Sequence, residues 1–143
     1  MSIKLKLDGF DELLSKIQKA GGSIDSAATA CLKNSASIME AELKTQMSNA
    51  GVDSGLISGM PAPQIEQEGN KITARVGYKK GAYNPRDPSD GYKVVFLNYG
   101  TPHRSKHGKV KARGFIAKAK KNAKKQITKQ QEETLNEILK GLT

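Results

Sequence analysis

Tyr92-Lys93-Val94-Val95-Phe96-Leu97-Asn98-Tyr99 is the stretch on which the reading of the fold rests. It is dense in β-branched and aromatic residues, and Gly100-Thr101-Pro102 close it, so composition predicts a strand over residues 92–99. Both faces are apolar in its middle, which predicts a strand sandwiched between helices, or between a helix and a neighbouring subunit. Upstream, Ile72, Ala74, Val76 and Tyr78 alternate with Thr73, Arg75 and Gly77, the period of a half-buried strand over residues 71–78. A loop over residues 79–91, holding Pro85 and Pro88, separates the two and reads as a surface arm. Lys4-Leu5-Lys6-Leu7 alternates over too few residues to add more than a short strand.

On either side of this sheet the period changes to that of a helix. Phe10, Leu13, Leu14 and Ile17 predict a first helix with Asp8, Asp11 and Glu12 at its start, where exposed amides favour acids. Gly21-Gly22 ends it. Ser23 or Asp25 caps a second helix whose buried stripe is Ala28, Cys31, Leu32, Ser35, Ile38, Met39, Leu43 and Met47. Much of that stripe is small, so another element can approach closely while each residue buries little area. Residues 51–69, with Asp53, Ser54, Gly55, Ser58, Gly59, Pro61 and Pro63, lose the pattern and read as an irregular connection. Residues 101–112 form a basic loop. A final helix opens near Arg113 or Gly114 and runs toward Leu139 with Phe115, Ile116, Ala119, Ala123, Ile127, Leu135, Ile138 and Leu139 on or near one face. The expected fold is α+β: one domain over residues 1–143, with two N-terminal helices and a long C-terminal helix packed on a small, mainly antiparallel sheet.

The 143 residues suffice for one core and are too few for two ordinary domains. Leu, Ile, Val and Phe total 29, and there is no Trp, so the core is thin and the expectation is a chain stabilised by packing against copies of itself or a larger assembly. The net charge of +10 is a block rather than a wash: residues 1–70 carry −3, residues 71–131 carry +15 and residues 132–143 carry −2. Between Thr101 and Gln131 stand eleven Lys and Arg and no acid. Such a surface attracts nucleic acid, anionic membrane or an acidic protein. The final helix is basic early and acidic late, at Glu132, Glu133 and Glu137, against its own dipole. One cysteine excludes an internal disulfide, and no span approaches the apolar length of a membrane helix, so the expectation is a cytoplasmic product with no membrane partner.

No catalytic constellation emerges, and the expectation is a protein that is not an enzyme and holds no cofactor or metal. Cys31, His103 and His107 have no second thiol, and the two histidines, four apart, lie in a Gly/Pro-flanked loop where that spacing does not create a common face. Asp87 and Asp90 lack a third carboxylate or a placed base. Ser54 and Ser58 lack a nucleophile elbow, and Gly55 to Gly59 lacks the lysine of a phosphate cradle. The basic residues lack a helix-turn-helix partner or an aromatic array, leaving electrostatic contact indifferent to sequence.

Two segments carry a resemblance. Tyr92-Lys-Val-Val-Phe-Leu-Asn-Tyr-Gly-Thr101, followed after a basic loop by Lys111-Ala-Arg-Gly-Phe-Ile-Ala-Lys-Ala119, resembles the signature of the tail-completion or minor tail proteins of long-tailed bacteriophages. Asp53-Ser-Gly-Leu-Ile-Ser-Gly59 is similar to a third short segment of that family, with Ser54 in place of its threonine. The order of elements matches over most of the chain. Two positions depart from the pattern: Asn98 stands where the family has an acid, and Gly114 where it has a proline.

The resemblance implies a structural virion protein, assembled in the host cytoplasm, that sits at the neck or head-proximal end of the tail and takes part in tail completion and head-tail joining. It implies a homo-oligomeric ring, commonly sixfold, in contact with other neck and tail proteins, with a channel that DNA traverses and no small-molecule substrate. Gly100, Thr101 and Pro102 are then the structural turn and Phe115 the anchor of the last helix. Arg104, Lys106, Lys109, Lys111 and Arg113 are candidates to face passing DNA or an acidic partner. The competing expectation is a sequence-independent or regulatory DNA-binding protein that uses the block 104–125 directly.

Overall fold

The computed structural model describes residues 2–69, 71–78, 92–100 and 111–143. Their order is β1 (Ser2–Lys6), α1 (Asp11–Lys19), α2 (Ile24–Asn49), α3 (Ser54–Ser58), β2 (Gln64–Glu68), β3 (Lys71–Gly77), α4 (Tyr92–Tyr99) and α5 (Phe115–Leu142). This is the expected α+β architecture, with two N-terminal helices and a long C-terminal helix on a three-stranded antiparallel sheet. Strand order is β1-β3-β2, with Leu5 and Ile65 both opposite Ala74. Ile72, Ala74 and Val76 point to the core, while Thr73 and Arg75 share the outer face with Lys4, Lys6, Glu66 and Glu68.

Residues 92–99 are a helix and not the predicted strand, and the sheet is completed by β1 and β2 instead. The burial pattern gives the reason. Val94 and Asn98, four apart, are buried and Leu97 is half-buried, whereas Phe96, which a strand would set on the same face as Val94, is 48% exposed. The segment 51–69 is likewise more regular than expected, since it contains α3 and β2. Asp53 caps α3 by accepting from the Gly55 amide, and the Tyr78 hydroxyl donates to the Leu56 carbonyl, tying the segment to the end of β3.

The longest seam is α2 against α5. Glu42 meets Asn122, Ser35 meets Gln131 and Asn34 meets Thr134, numbers rising on one helix as they fall on the other, so the pair is antiparallel. The predicted stripe of α2 is buried, Ile38 only partly, with Ala27 and Ala36 added. It faces Ala119 and Ala123 of α5, so small residues on both helices allow close approach. Ser23 caps α2 through the Ser26 amide, as its position predicts.

The buried apolar residues form two clusters. The larger gathers the sheet, α2, Val94 of α4 and the first half of α5; the smaller gathers Ile17, Ala27, Cys31 and Leu135 with α1 against it. At the α2–α5 seam beside the smaller cluster lies a polar layer: the Cys31 thiol donates to the Gln131 carbonyl, and the Gln131 amide donates to the Ser35 hydroxyl, which donates to the Cys31 carbonyl. Burial pushes the Cys31 thiol up to about 11 and the Tyr78 phenol up to about 12. Cys31 is therefore a packed, protonated core residue rather than a nucleophile.

Candidate functional site

The two segments of the signature are bonded to each other. Gly100, in left-handed backbone at φ 75°, ends α4 and donates its amide to the Phe96 carbonyl. The next two carbonyls of α4 are taken from a distance: Arg113 donates its amide to Leu97 (3.0 Å) and Gly114 to Asn98 (3.1 Å). In return the Asn98 side chain accepts from the Ile116 amide at 3.0 Å. Gly114 has no side chain with which to cap α5, and Asn98 supplies the missing acceptor. The negative end of the α4 dipole thus meets the positive end of α5.

A third helix end joins them. The Arg113 guanidinium donates to the Ala50 carbonyl at 3.1 Å, at the C-terminus of α2, whose last turn has no basic residue of its own. Phe115 is fully buried in the larger apolar cluster with Val94 and Val52, and Leu97, Leu56 and Ile57 pack against that cluster. Two of the three segments that carry the resemblance therefore form one joint, and the third reaches the same apolar cluster through Leu56 and Ile57. Gly100 does adopt the conformation that a side chain opposes, but it does so at the end of a helix rather than a strand. Gly114 lies at φ 59°, which a proline ring does not permit, so the departure at this position is built into the backbone.

Thr101, Pro102, Arg104, Lys106 and Lys109 lie outside the described residues, as do His103, His107, Asp87 and Asp90. Lys111 and Arg113 are exposed at the mouth of the joint. Arg113 was not expected to close helix ends. The available signal was its place two residues after Lys111 and immediately before a glycine, and only the long-range geometry gives it that role.

The rest of the basic block is on α5. Lys118, Lys120, Lys121, Lys124, Lys125 and Lys129 are all exposed. At 100° per residue, Lys118, Lys121, Lys125 and Lys129 form a row opposite the buried Ala119, Ala123 and Ile127, about 16 Å long. The ion pairs among the described residues are Glu12–Lys16, Glu40–Lys44 and Glu66–Arg75, none of which draws on this row. Among the described residues no group of three His, Cys, Asp or Glu converges as a metal site, and no helix is long and apolar enough to cross a membrane. Comparison with protein-family models, curated proteins and solved structures finds no match to this chain.

Proposed function

We propose that this chain is a structural protein of a long-tailed phage or prophage, forming part of the neck or head-proximal tail end and acting in tail completion and head-tail joining. The observation that carries the reading is the joint. Segments 92–100 and 111–119, which carry most of the resemblance to tail-completion proteins, bond to each other around Arg113, Asn98 and Phe115, and Leu56 and Ile57 of segment 53–59 pack against the same apolar cluster as Phe115. A signature whose parts bond to one another is a folding unit, which is what a non-catalytic assembly protein selects. The thin core and the exposed Tyr99 beside the joint favour self-association. Sedimentation or light scattering of the purified chain, with electron microscopy of the largest species, tests this: a closed ring with an open centre is expected. A monomer at every concentration, together with failure to join purified tails and heads, refutes it.

The acid-free row on α5 favours a second reading, a protein that binds DNA without regard to sequence. That reading expects weak affinity that falls steeply with salt and is equal for unrelated duplexes. A duplex preferred by orders of magnitude at one salt concentration makes the chain a regulator instead.

A further inference from the structure

Among the described residues the sheet has two open edges of opposite charge. Among the described residues β1 and β2 each pair on one side only, with β3 between them. An edge strand presents alternate unpaired amides and carbonyls, a template for a further strand. On the outer face the β1 edge carries exposed Lys4 and Lys6, and the β2 edge carries Glu66 and Glu68. β3 adds Arg75, which pairs with Glu66 at 3.5 Å, and Lys71, in register with Glu68. Charge across this face thus runs positive, positive, negative. A groove of about 680 Å³ lined by Lys4, Lys6, Asp8, Asp11, Asp25 and Lys71 lies beside the end of β1.

We infer that the β1 edge of one copy pairs with the β2 edge of the next, continuing the sheet from subunit to subunit. This rests on the self-assembly in the reading above and specifies the surface that performs it. Charge selects this junction over its rivals: β1 against β1 sets lysines beside lysines, and β2 against β2 sets glutamates beside glutamates. Only the unlike edges give Lys4 and Lys6 acidic neighbours and give Glu66 and Glu68 a second row of cations. A junction between two different edges is heterologous and closes into a ring when its rotation permits. Both strands are antiparallel to β3 and hence parallel to each other, so a rotation about an axis along the strands makes the junction a parallel pair.

Charge reversal of the full chain tests the junction. Lys4→Glu with Lys6→Glu places acids on both edges, and Glu66→Lys with Glu68→Lys places cations on both; each variant alone is expected to lose the assembled species in light scattering. All four reversals in one chain restore the complementarity and are expected to restore assembly. Mixing the two double variants in equal amounts is expected to restore it as well, in alternating order. The four side chains are exposed or half-buried, and circular dichroism checks that each variant is folded; restoration on mixing separates a broken junction from a broken fold. Assembly of the parent chain that survives both reversals, or that neither restoration recovers, overturns the junction and leaves the ring standing. A parent chain that is monomeric at every concentration overturns the ring and the junction together, and restoration that stops at a dimer overturns the heterologous geometry.

Discussion

Replacing Asn98 by Ala removes the side-chain acceptor that, among the described residues, serves the start of α5. The bond lost is from the Ile116 amide, 3.0 Å long, between residues that are 5% and 7% exposed, so water does not replace the acceptor. Loss of a helix cap costs about 1 kcal/mol, and a buried amide left unpaired costs about 1–3 kcal/mol. These describe the same bond and do not add; the expected loss is about 2 kcal/mol. For a chain of this length that is a fall in Tm of roughly 4–8 °C, read by circular dichroism at 222 nm. Asn98→Leu keeps the branched shape without the acceptor and should be at least as damaging. Asn98→Asp keeps the acceptor and adds a charge favoured at a helix start by about 0.3–1 kcal/mol, which offsets part of its desolvation. It should therefore stay within about 1 kcal/mol of the parent. If Leu matches the parent, or Asp is as damaging as Ala, the acceptor is not what holds α4 to α5.

Phe115→Ala opens a cavity at a fully buried position and should cost about 3–5 kcal/mol in denaturant unfolding, against about 1–2 kcal/mol for Gly100→Ala, whose φ of 75° opposes a side chain. Stability should decline as pH rises from 9 toward 12: the folded values of Cys31 (about 11) and Tyr78 (about 12) lie above their ordinary 9 and 10, so the unfolded chain loses those protons first. Urea titrations across that range check it, and Tyr78→Phe should flatten the upper part of the decline. If α5 follows a phosphate backbone, Lys118, Lys121, Lys125 and Lys129→Gln together should reduce the slope of log affinity against log salt by about 3–4. An unchanged slope assigns the row to solvent or a protein partner.

Most of the frame was legible in the sequence because it rests on local signals. Ser23 before an apolar period, Gly21-Gly22 after one, and the alternation of Ile72, Ala74 and Val76 each specify an element without help from distant residues. β2 was hidden for the opposite reason. Gln64-Ile65-Glu66-Gln67-Glu68 has one apolar residue and two prolines just before it, and it is a strand because β3 offers a ladder and Arg75 a partner for Glu66. The joint was hidden more completely: its bonds span 16 to 63 positions, and residue type alone cannot say that Asn98 will cap a helix beginning at Phe115.

The misreading of residues 92–99 has a specific physical lesson. Val94, Val95 and Phe96 favour a strand by composition, and over eight residues composition outweighs period, because two turns of helix and four strand pairs bury similar sets. The decisive signal was punctuation. Glycine followed two positions later by proline is a common helix ending, since glycine takes the left-handed residue and proline cannot continue the ladder. Gly100 donates back to Phe96 in just that arrangement. The helical form then exposes what a strand would have consumed: a strand spends its carbonyls on a neighbouring strand, whereas a helix leaves its last carbonyls unpaired. Those of Leu97 and Asn98 are free to receive Arg113 and Gly114, and Asn98 falls on the buried side within reach of Ile116. The element that contradicts the propensity is thus the one that lets the beginning of α5, Phe115 included, be locked to the rest of the fold.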